Sequence, residues 1–549
     1  MGYDLLIAGG KVADGTGNPC FWADVGIKDG KIVAIGRLGG REATRVIDAR
    51  RKVVAPGFID IHSHADFIFP LRRHVEVLAP FIRQGITTLV VGNCGLSPAP
   101  VNPTRLALLR SYTSFLQASE LDWNWRSMGE YLDMLETAGV ALNVVPLASH
   151  GAIRIAVMGF EARQATADEQ EQMRLLAEQA LEEGAFGLSA GLIYAPGMYA
   201  NTDELVAVAG PVARLEGIFT AHIRGSSETL VSSTKEILKI GEATGARVQH
   251  SHIEAFGKEH WPKIERVLLL HDQARQRGVD AGFDVIPYVA ANTTLTAILP
   301  PWAFEGGVED LLERLSTPKS RAAIQRDIDE VVPGWPPWLP GGWPHNLAGA
   351  TGWDNIWVIW VGSEKNKHLE GKSLVQIGLE LNKTPFDAAA DLIVTEKGQV
   401  MGLYFGVSGD LENEEWLRHL LAHPRGSINT DAILTGRGIP HPAAYGAFPR
   451  VLGHYSRDLG LMRVEDAVRK MTSLAAQRLR LKQRGLIRED YAADITVFDE
   501  ATVEDKATYL EPCQNPVGID FVIINGTVVL ERGELDVDAL AGQVLRRDT

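Results

Sequence analysis

Metal-binding side chains recur in this chain at the ends of short apolar runs. They are His62, His64, Cys94, His222, His252 and Asp431. Imidazole, thiolate and carboxylate groups are the ligands that bind zinc in proteins. Strand residues two apart point to the same side, so the imidazoles of His62 and His64 can reach one ion. A lone histidine is usually a structural or surface residue, but this set at successive run ends predicts a zinc site with one or two ions.

Asp431 has two roles available in such a site. Its carboxylate can bind the metal, and it can take a proton from a water molecule that bound zinc activates at neutral pH. It can then return that proton to the leaving nitrogen of an amide. We therefore predict Asp431 as the catalytic residue. The alternative, an N-cap for the next helix, leaves the histidines unexplained.

Eight apolar runs supply the elements that must position these side chains. In chain order they are GFIDIHSH, ITTLVVGNC, ALNVVPLASH, AFGLSAG, IFTAHIR, RVQHSHIE, DAGFDVIPY and GSINTDA. Segments with apolar residues at helical spacing, such as 165–184, lie between them. Strands that alternate with helices indicate an α/β fold with a parallel sheet, and eight of them predict a (β/α)8 TIM barrel over residues 58–483. Residues at the carboxyl ends of barrel strands converge on one site.

The two ends of the chain and one internal stretch have other patterns. Residues 1–57 and 484–549 contain short apolar runs joined by Asp-Gly and Asn-Gly pairs, which are typical hairpin turns. We expect these segments to form one small β-sandwich domain. A long tryptophan-rich stretch, about 290–415, separates the seventh and eighth runs. We expect a folded insertion that covers the barrel mouth, with a small separate core or an oligomer contact as the alternatives.

Composition excludes several classes of protein. The 549 residues carry a formal net charge of -15, which disfavours nucleic acids and anionic membrane surfaces as partners. No apolar run has the length of a transmembrane helix, and the N-terminus lacks the pattern of a secretory signal. Three cysteines do not make a disulfide framework. We therefore expect a cytoplasmic protein.

Several segments resemble a known family. GFIDIHSHAD is similar to the opening of the amidohydrolase superfamily, and GNCG, AHIR, SHIEAFG, NTDA and GAFPRVLGHYSRD resemble the D-aminoacylase (N-acyl-D-amino-acid deacylase) family. The resemblance extends over the whole chain except the tryptophan-rich insertion. It implies a zinc-dependent hydrolase whose partner is a small-molecule linear amide. It also implies a homo-oligomer, the common state of acidic barrel enzymes in this superfamily.

The resemblance implies roles for the ligands as well. The first two histidines bind one metal position and the last two bind the other, with Cys94 between them and Asp431 as general base. Many superfamily members bridge two metals with a carboxylated lysine on strand four, but this chain has no lysine between Lys52 and Lys235. Cys94 is the available replacement, because a metal-bound thiol is deprotonated. An inert buried thiol is the alternative.

Four further residues are candidates for contacts with the substrate: Tyr194, Tyr288, Glu254 and His150. The tyrosines match pocket tyrosines of the family, although packing residues give the same pattern, and His150 ends the third run. Glu254 and Ala443 stand where the family typically carries a lysine and an arginine that hold the free α-carboxylate of the substrate. We therefore expect a neutral, cationic or bulky aromatic amide, unless Arg224 or Arg450 supplies the missing charge.

Two other functions stay open at this point. A cyclic amide, an imide or a xenobiotic anilide is an alternative substrate for the same scaffold. Some barrel relatives have lost their metal ligands and act as non-catalytic scaffold proteins. In this chain every expected ligand position holds a competent residue, which favours an enzyme.

Overall fold

The computed structural model describes residues 2–39, 42–119, 121–330 and 346–547. The strands are β1 (Tyr3–Val12), β2 (Phe21–Lys28), β3 (Lys31–Gly36), β4 (Ala43–Asp48), β5 (Val53–Pro56), β6 (Phe58–Asp60), β7 (Ile86–Val91), β8 (Asn143–Pro146), β9 (Ala148–Ser149), β10 (Gly187–Gly191), β11 (Ile218–His222), β12 (Arg247–His250), β13 (Ala281–Val285), β14 (Ala290–Thr294), β15 (Ile356–Val361), β16 (Lys372–Ser373), β17 (Val400–Phe405), β18 (Gly426–Ile428), β19 (Ile495–Phe498), β20 (Ile519–Ile524), β21 (Thr527–Glu531) and β22 (Glu534–Leu535).

The helices alternate with the central strands. They are α1 (His74–Arg83), α2 (Leu106–Tyr112), α3 (Met128–Ala138), α4 (His150–Met158), α5 (Ala167–Glu182), α6 (Thr202–Arg214), α7 (Leu230–Thr244), α8 (Lys263–Gln276), α9 (Val308–Ser316), α10 (Pro318–Glu330), α11 (Leu347–Thr351), α12 (Leu374–Leu381), α13 (Pro385–Thr395), α14 (Glu415–Ala422), α15 (Ala443–Arg450), α16 (Val464–Met471) and α17 (Ser473–Leu479). Among the described residues, no helix combines the length and the apolar character needed to cross a membrane.

Strands from both ends of the chain form one nine-stranded sheet. Its order is β22-β21-β20-β19-β5-β1-β2-β3, and β4 also pairs with β1. Asp29-Gly30 joins β2 to β3 and Asn525-Gly526 joins β20 to β21, and all four residues have the positive φ that a tight hairpin turn requires. Apolar side chains of β1, β2, β19 and β20 share one core. The two ends therefore fold together, while the second layer of the expected sandwich stays a prediction.

Each of the eight apolar runs contains a strand of a parallel sheet. β6, β7 and β8 form one sheet, and the other has the order β18-β13-β12-β11-β10-β9. Their pairings are all parallel. Only Leu147 separates β8 from β9, and a parallel bridge between Ser63 and Ala432 connects the residues after β6 with those after β18. Helices between successive strands complete the α/β fold that the alternating pattern predicts.

Residues between β13 and β18 form a small unit of their own. β14, β17, β15 and β16 make an antiparallel sheet, and α9 to α13 accompany it. This unit has a separate hydrophobic core, to which Leu295 and Ile356 belong. The stretch is therefore folded, although its limits of 290 and 415 stay a prediction. Trp335, Trp338 and Trp343 lie outside the described residues.

Candidate metal centre

The six candidate ligands lie together beside the carboxyl ends of the parallel strands. They are His62 and His64 after β6, Cys94 after β7, His222 at the end of β11, His252 after β12 and Asp431 after β18. None of them is more than 8% exposed. One ligand atom each from His62, Cys94, His252 and Asp431 lies within 4.8 Å of the others. The sequence pattern and the fold thus agree on one buried cluster.

Cys94 lies in the middle of this cluster. Its Sγ is 3.2 Å from His62 Nε2 and 3.5 Å from His252 Nε2. His222 Nδ1 follows at 3.7 Å. The thiol therefore contacts histidines from both halves of the predicted site, which is the position that a bridging ligand needs.

Asp431 contacts one end of a row of imidazole rings. Its Oδ1 is 3.2 Å from Nε2 of both His62 and His64. The ring centroids of His64 and His62 are 5.5 Å apart, those of His62 and His252 4.9 Å, and those of His252 and His222 4.5 Å. The row thus runs from the carboxylate to His222.

The charges in the cluster stabilise one another. Burial by itself lowers the pKa of His62, but the negative charges of Cys94 and Asp431 outweigh it and raise this pKa to about 10. Burial favours a protonated Asp431, yet His252 and His62 hold the pKa of its carboxyl well below the usual range. The pKa of the Cys94 thiol is held well below its usual value against burial, chiefly by the charge of His62. An ionised thiolate and carboxylate among buried imidazoles are a donor set that fits zinc.

Three of the ligands have an uncommon backbone conformation. Cys94, His252 and Asp431 have φ values of 52°, 32° and 46°, in the left-handed region that non-glycine residues rarely adopt. Such residues cost about 1–3 kcal/mol each and occur preferentially at functional sites. The loop that contains Cys94 is held in place by close packing, since a Cβ at Gly191 would lie 1.9 Å from the carbonyl oxygen of Cys94. Glycine in β10 therefore permits the backbone approach that places this ligand.

Two buried aspartates support the ligands, although sequence reasoning did not assign them to the site. Asp284 accepts a hydrogen bond from the backbone N–H of His252 at 2.7 Å, and its Oδ1 is 3.7 Å from His62 Nδ1. Asp60 accepts hydrogen bonds from the backbone N–H groups of His62 at 3.2 Å and Thr430 at 3.1 Å. Such partners orient metal ligands. The signal for both is a carboxylate inside an otherwise apolar run, GFID or GFDV.

A narrow cavity with a volume of about 20 Å³ opens onto the ligands. Two of the predicted substrate residues, Tyr194 and Glu254, line it. The ring of Tyr194 lies 5.3 Å from that of His222, and its hydroxyl is 2.8 Å from Thr293 Oγ1. Glu254 Oε1 is 3.4 Å from His252 Nδ1. Both side chains are therefore in position to contact a molecule bound beside the ligands.

The structure places the other two predicted substrate residues away from this cavity. The Tyr288 hydroxyl donates a hydrogen bond to Asp505 at 3.2 Å, and the guanidinium of Arg450 lies over its ring. His150 Nε2 is 2.8 Å from Glu204 Oε1. Tyr288 and His150 do not line the cavity and belong instead to buried polar networks.

The lining of the cavity, as far as the structure describes it, contains no lysine or arginine. Arg224 donates to Glu236 at 2.7 Å and to two backbone carbonyl groups. Arg450 donates to Glu414 at 2.8 Å and lies against Tyr288. Both arginines are thus engaged elsewhere, and neither supplies the cation that would hold a substrate carboxylate at this cavity.

Buried histidine, cysteine and aspartate donors at the ends of parallel strands define a metal-dependent hydrolase with an α/β fold. A family model described as "Amidohydrolase family" matches residues 45–330 and 417–530, which is most of the chain. The chain belongs to this amidohydrolase family, as its sequence predicts.

Individual relatives match the chain over its full length. D-aminoacylase of Alcaligenes xylosoxydans xylosoxydans is 34% identical over 549 residues, which cover 99% of this chain and 98% of that protein. N-acyl-D-glutamate deacylase of the same organism is 33% identical over 547 residues, with 99% and 97% covered. A crystal structure of N-acyl-D-glutamate deacylase from Bordetella bronchiseptica, complexed with zinc and a phosphonate mimic of the tetrahedral intermediate, aligns with a TM-score of 0.81 at 32% identity and covers 100% of both chains. The resemblance to the D-aminoacylase family is confirmed.

Proposed function

We propose that this chain is a zinc-dependent hydrolase that cleaves the C–N bond of a linear amide, and that its substrate has no free carboxylate beside that bond. The observation that carries the proposal is the buried cluster around Cys94, which opens into a cavity with a carboxylate and no described lysine or arginine in its lining. The D-aminoacylase and deacylase relatives, one of them complexed with zinc, support the reaction class.

The zinc ligands in this proposal are His62, His64, Cys94, His222, His252 and Asp431. Their buried positions and mutual contacts support a site for one or two ions. Cys94 would hold the metal from the centre of this set, because its sulfur contacts His62, His222 and His252. Zinc in this site supplies Lewis acidity, which polarises the amide carbonyl and makes water a nucleophile at neutral pH.

Asp431 moves the proton. Its carboxylate borders the cavity, and Oδ1 lies 3.2 Å from the nearest ligand nitrogens, so Oδ1 is placed to accept a proton from the attacking water. The water oxygen bonds to the carbonyl carbon, and Oδ1 returns the proton to the nitrogen as the C–N bond breaks. The products are a carboxylic acid and an amine. Tyr194, next to His222, confines the substrate at the opposite end of the row of rings.

Glu254 supports a neutral, cationic or bulky aromatic amide as substrate. Only 6% of this residue is exposed, and its carboxylate lies beside His252 in the cavity. A substrate carboxylate at this point would meet a like charge in a buried space, and such juxtaposition costs several kcal/mol. A neutral amide or an amine avoids that repulsion. The proposed substrate therefore lacks the charged group that the D-amino-acid relatives accept by name.

The finer architecture follows from the same arrangement. We propose that the parallel strands close into one (β/α)8 barrel, with the bridge between Ser63 and Ala432 joining the first strand to the last and Leu147 interrupting only the third. In a closed barrel all strand ends surround a single cavity. This geometry accounts for ligands that come from five different strands.

A substrate panel combined with zinc analysis tests the proposal. The zinc-loaded protein is assayed with N-acetyl-D-amino acids, with their carboxamides and arylamides, and with a cyclic imide. We expect zinc-dependent hydrolysis of the carboxamides or arylamides, and its loss in Asp431→Asn and Cys94→Ala. Hydrolysis of the free acids but not of the neutral amides would contradict the substrate class. Turnover of the imide alone would contradict a linear substrate, and full zinc occupancy without any turnover would contradict an enzyme.

Exchange of one side chain tests the role of Glu254 more directly. Glu254→Lys restores the cation that the D-aminoacylase family typically carries at this position. We expect kcat/KM for N-acetyl-D-amino acids to rise by at least about tenfold, equivalent to about 1.4 kcal/mol, relative to their carboxamides. Glu259→Lys, which makes the same charge change outside the cavity lining, is the control. An equal response of both variants would show that Glu254 does not select the substrate.

A further inference from the structure

A second cavity adjoins the one that opens onto the metal ligands. It has a volume of about 60 Å³, and Phe115, Ile193 and Tyr194 line both cavities. We call this second cavity the side passage. Apolar side chains such as Phe160 and Phe304 form much of its remaining wall. An apolar arm of a molecule bound at the metal centre would meet a largely apolar wall here, with hydroxyl groups such as those of Thr294 and Thr296 among its lining.

Lys397 is the one charged residue among the described residues that line the side passage. It lies in the turn between α13 and β17, is exposed, and forms no hydrogen bond or ion pair through its ammonium group with any residue that the structure describes. The turn itself is fixed. Gly398 donates a backbone hydrogen bond to Ile393 at 2.7 Å, and the buried carboxylate of Glu396 accepts one from the backbone of Ser363, also at 2.7 Å.

The backbone of Lys397 gives no reason for a lysine at this position. Its φ of 54° is in the left-handed region, where glycine or asparagine is the usual residue after a helix. A lysine side chain does not relieve this strain. The feature that distinguishes Lys397 is its unpaired charge at the wall of an apolar cavity.

We propose that the side passage is a substrate subsite for a long apolar arm that ends in a carboxylate, and that Lys397 binds this carboxylate. The inference rests on the proposed function and deepens it. Glu254 disfavours a carboxylate beside the scissile amide, whereas Lys397 attracts one at the far end of an arm. The two charges together fix the direction in which such a substrate enters. The arm belongs to either the acyl half or the amine half of the amide, and the chemistry that Lys397 recognises is the same for both.

Two matched series of amides test the subsite. In one series the acyl half carries arms of increasing length that end in a methyl group or a carboxylate, and in the other the amine half carries the same arms. For the half that enters the side passage, we expect the zinc-loaded enzyme to prefer the carboxylate over the methyl terminus by about fivefold in kcat/KM at the optimal length, the effect of one exposed ion pair. The other half should show no such preference. The preference should decrease with added salt, because exposed charges are screened.

Substitutions separate the charge from the shape of the passage. Lys397→Met should remove the preference and Lys397→Glu should reverse it, while turnover of short neutral amides stays unchanged. Lys365→Glu, at an exposed lysine of the same small unit outside the side passage, should leave the preference intact. Ala297→Trp, which adds bulk at a residue that lines only the side passage, should abolish turnover of long arms and spare short ones.

The outcomes distinguish this inference from the proposed function. If short neutral amides are hydrolysed but no length or charge preference appears in either series, the subsite is refuted and the reaction class stands. A preference that survives in Lys397→Glu refutes the subsite in the same way. If no amide is hydrolysed, the reaction class fails, and titration calorimetry of the zinc-loaded protein with a medium-chain dicarboxylate decides the subsite. Binding that weakens about fivefold in Lys397→Met supports it, and equal or absent binding refutes it.

Discussion

Two clusters of histidines lie close together in this fold, and of the two only the first contains a buried cysteine and a buried aspartate. The first is the candidate metal centre. The second contains His250, His271 and His423, and His250 is only two residues before the ligand His252. In this second cluster His250 Nδ1 is 3.2 Å from His271 Nε2, and the ring of Phe283 packs against both His271 and His423.

The electrostatic states of the two clusters are opposite. Cys94 and Asp431 overcome the effect of burial in the metal centre and raise the pKa of His62 to about 10. In the second cluster burial and the neighbouring histidines hold the pKa of His250 well below its usual range, and burial, with a contribution from His423, lowers that of His271 to about 3. Buried histidines without a buried anion stay neutral and pack. In the metal centre, an ionised thiolate and an ionised carboxylate stabilise the protonated, cationic form of the same residue type.

Removal of the carboxylate charge from the metal centre should have the largest effect. We expect Asp431→Asn to lower kcat by about 10²–10⁴-fold, the contribution of a positioned acid–base group. The histidines and Cys94 remain in place, so the variant should still bind zinc, although more weakly, and elemental analysis at saturating zinc measures its occupancy beside kcat. Asp272→Asn is the matched control, because Asp272 lies 3.7 Å from His423 in the second cluster. Comparable losses of kcat in both variants would contradict the assignment of the proton transfer to Asp431.

Substitution of His252 and of His250, one at a time, should distinguish the functions of the two clusters. Because loss of an outer-shell partner weakens metal binding by about 10–100-fold, we expect loss of the ligand in His252→Asn to weaken zinc binding by about 100-fold or more. His250→Asn should leave zinc affinity unchanged and lower stability only. Competition with a chelator of known affinity measures the first effect, and denaturant unfolding measures the second. If zinc binding were weaker only in His250→Asn, this result would show that His250 and not His252 is the zinc ligand.

The sequence predicts that the candidate ligands lie together, because the carboxyl ends of neighbouring parallel strands lie at one edge of a sheet whatever loops follow them. The same reasoning assigns Tyr288 and His150 to the cavity, since they too end or follow apolar runs. In the structure they pair with Asp505 and Glu204, which are 217 and 54 residues away in the chain. Such long-range partners leave no periodic signal, so their effect on a side chain is not visible locally.

The fold, too, can be predicted only where its features leave a local signal in the sequence. The alternation of apolar runs and helical segments predicts each parallel strand, and Asp-Gly and Asn-Gly predict the hairpins. The side passage is not predictable in this way, because its walls come from five distant parts of the chain, those around Phe115, Phe160, Ile193, Ala297 and Lys397. A cavity between separate elements is a property of packing, and packing is not encoded in any one window of sequence.

A smaller effect is expected from substitution of Asp284, which is hydrogen-bonded to the backbone of the candidate ligand His252. Asp284 accepts hydrogen bonds from the His252 backbone at 2.7 Å and from Gln249 at 2.8 Å. We expect Asp284→Asn to weaken zinc binding by about 10–100-fold, as for other outer-shell partners. Asp284 is not among the groups that shift the pKa of His271, so that pKa should not change. Chelator competition and NMR titration measure the two quantities. Unchanged zinc affinity in a folded Asp284→Asn protein would refute the supporting role.

The smallest effect concerns the pH dependence of stability, and it arises from the second cluster. The pKa of His271 is about 3 in the folded chain, against 6.5 as its ordinary value. As pH falls from 6.5 towards 3, the unfolded chain binds a proton at this residue and the folded chain does not, so the free energy of unfolding decreases. His271→Gln removes this contribution. The unfolding free energy of the variant should therefore decrease less steeply over that window, with zinc content at neutral pH unchanged. Urea unfolding of both proteins in the same metal state measures the slopes, and equal slopes would show that folding does not lower the pKa of His271.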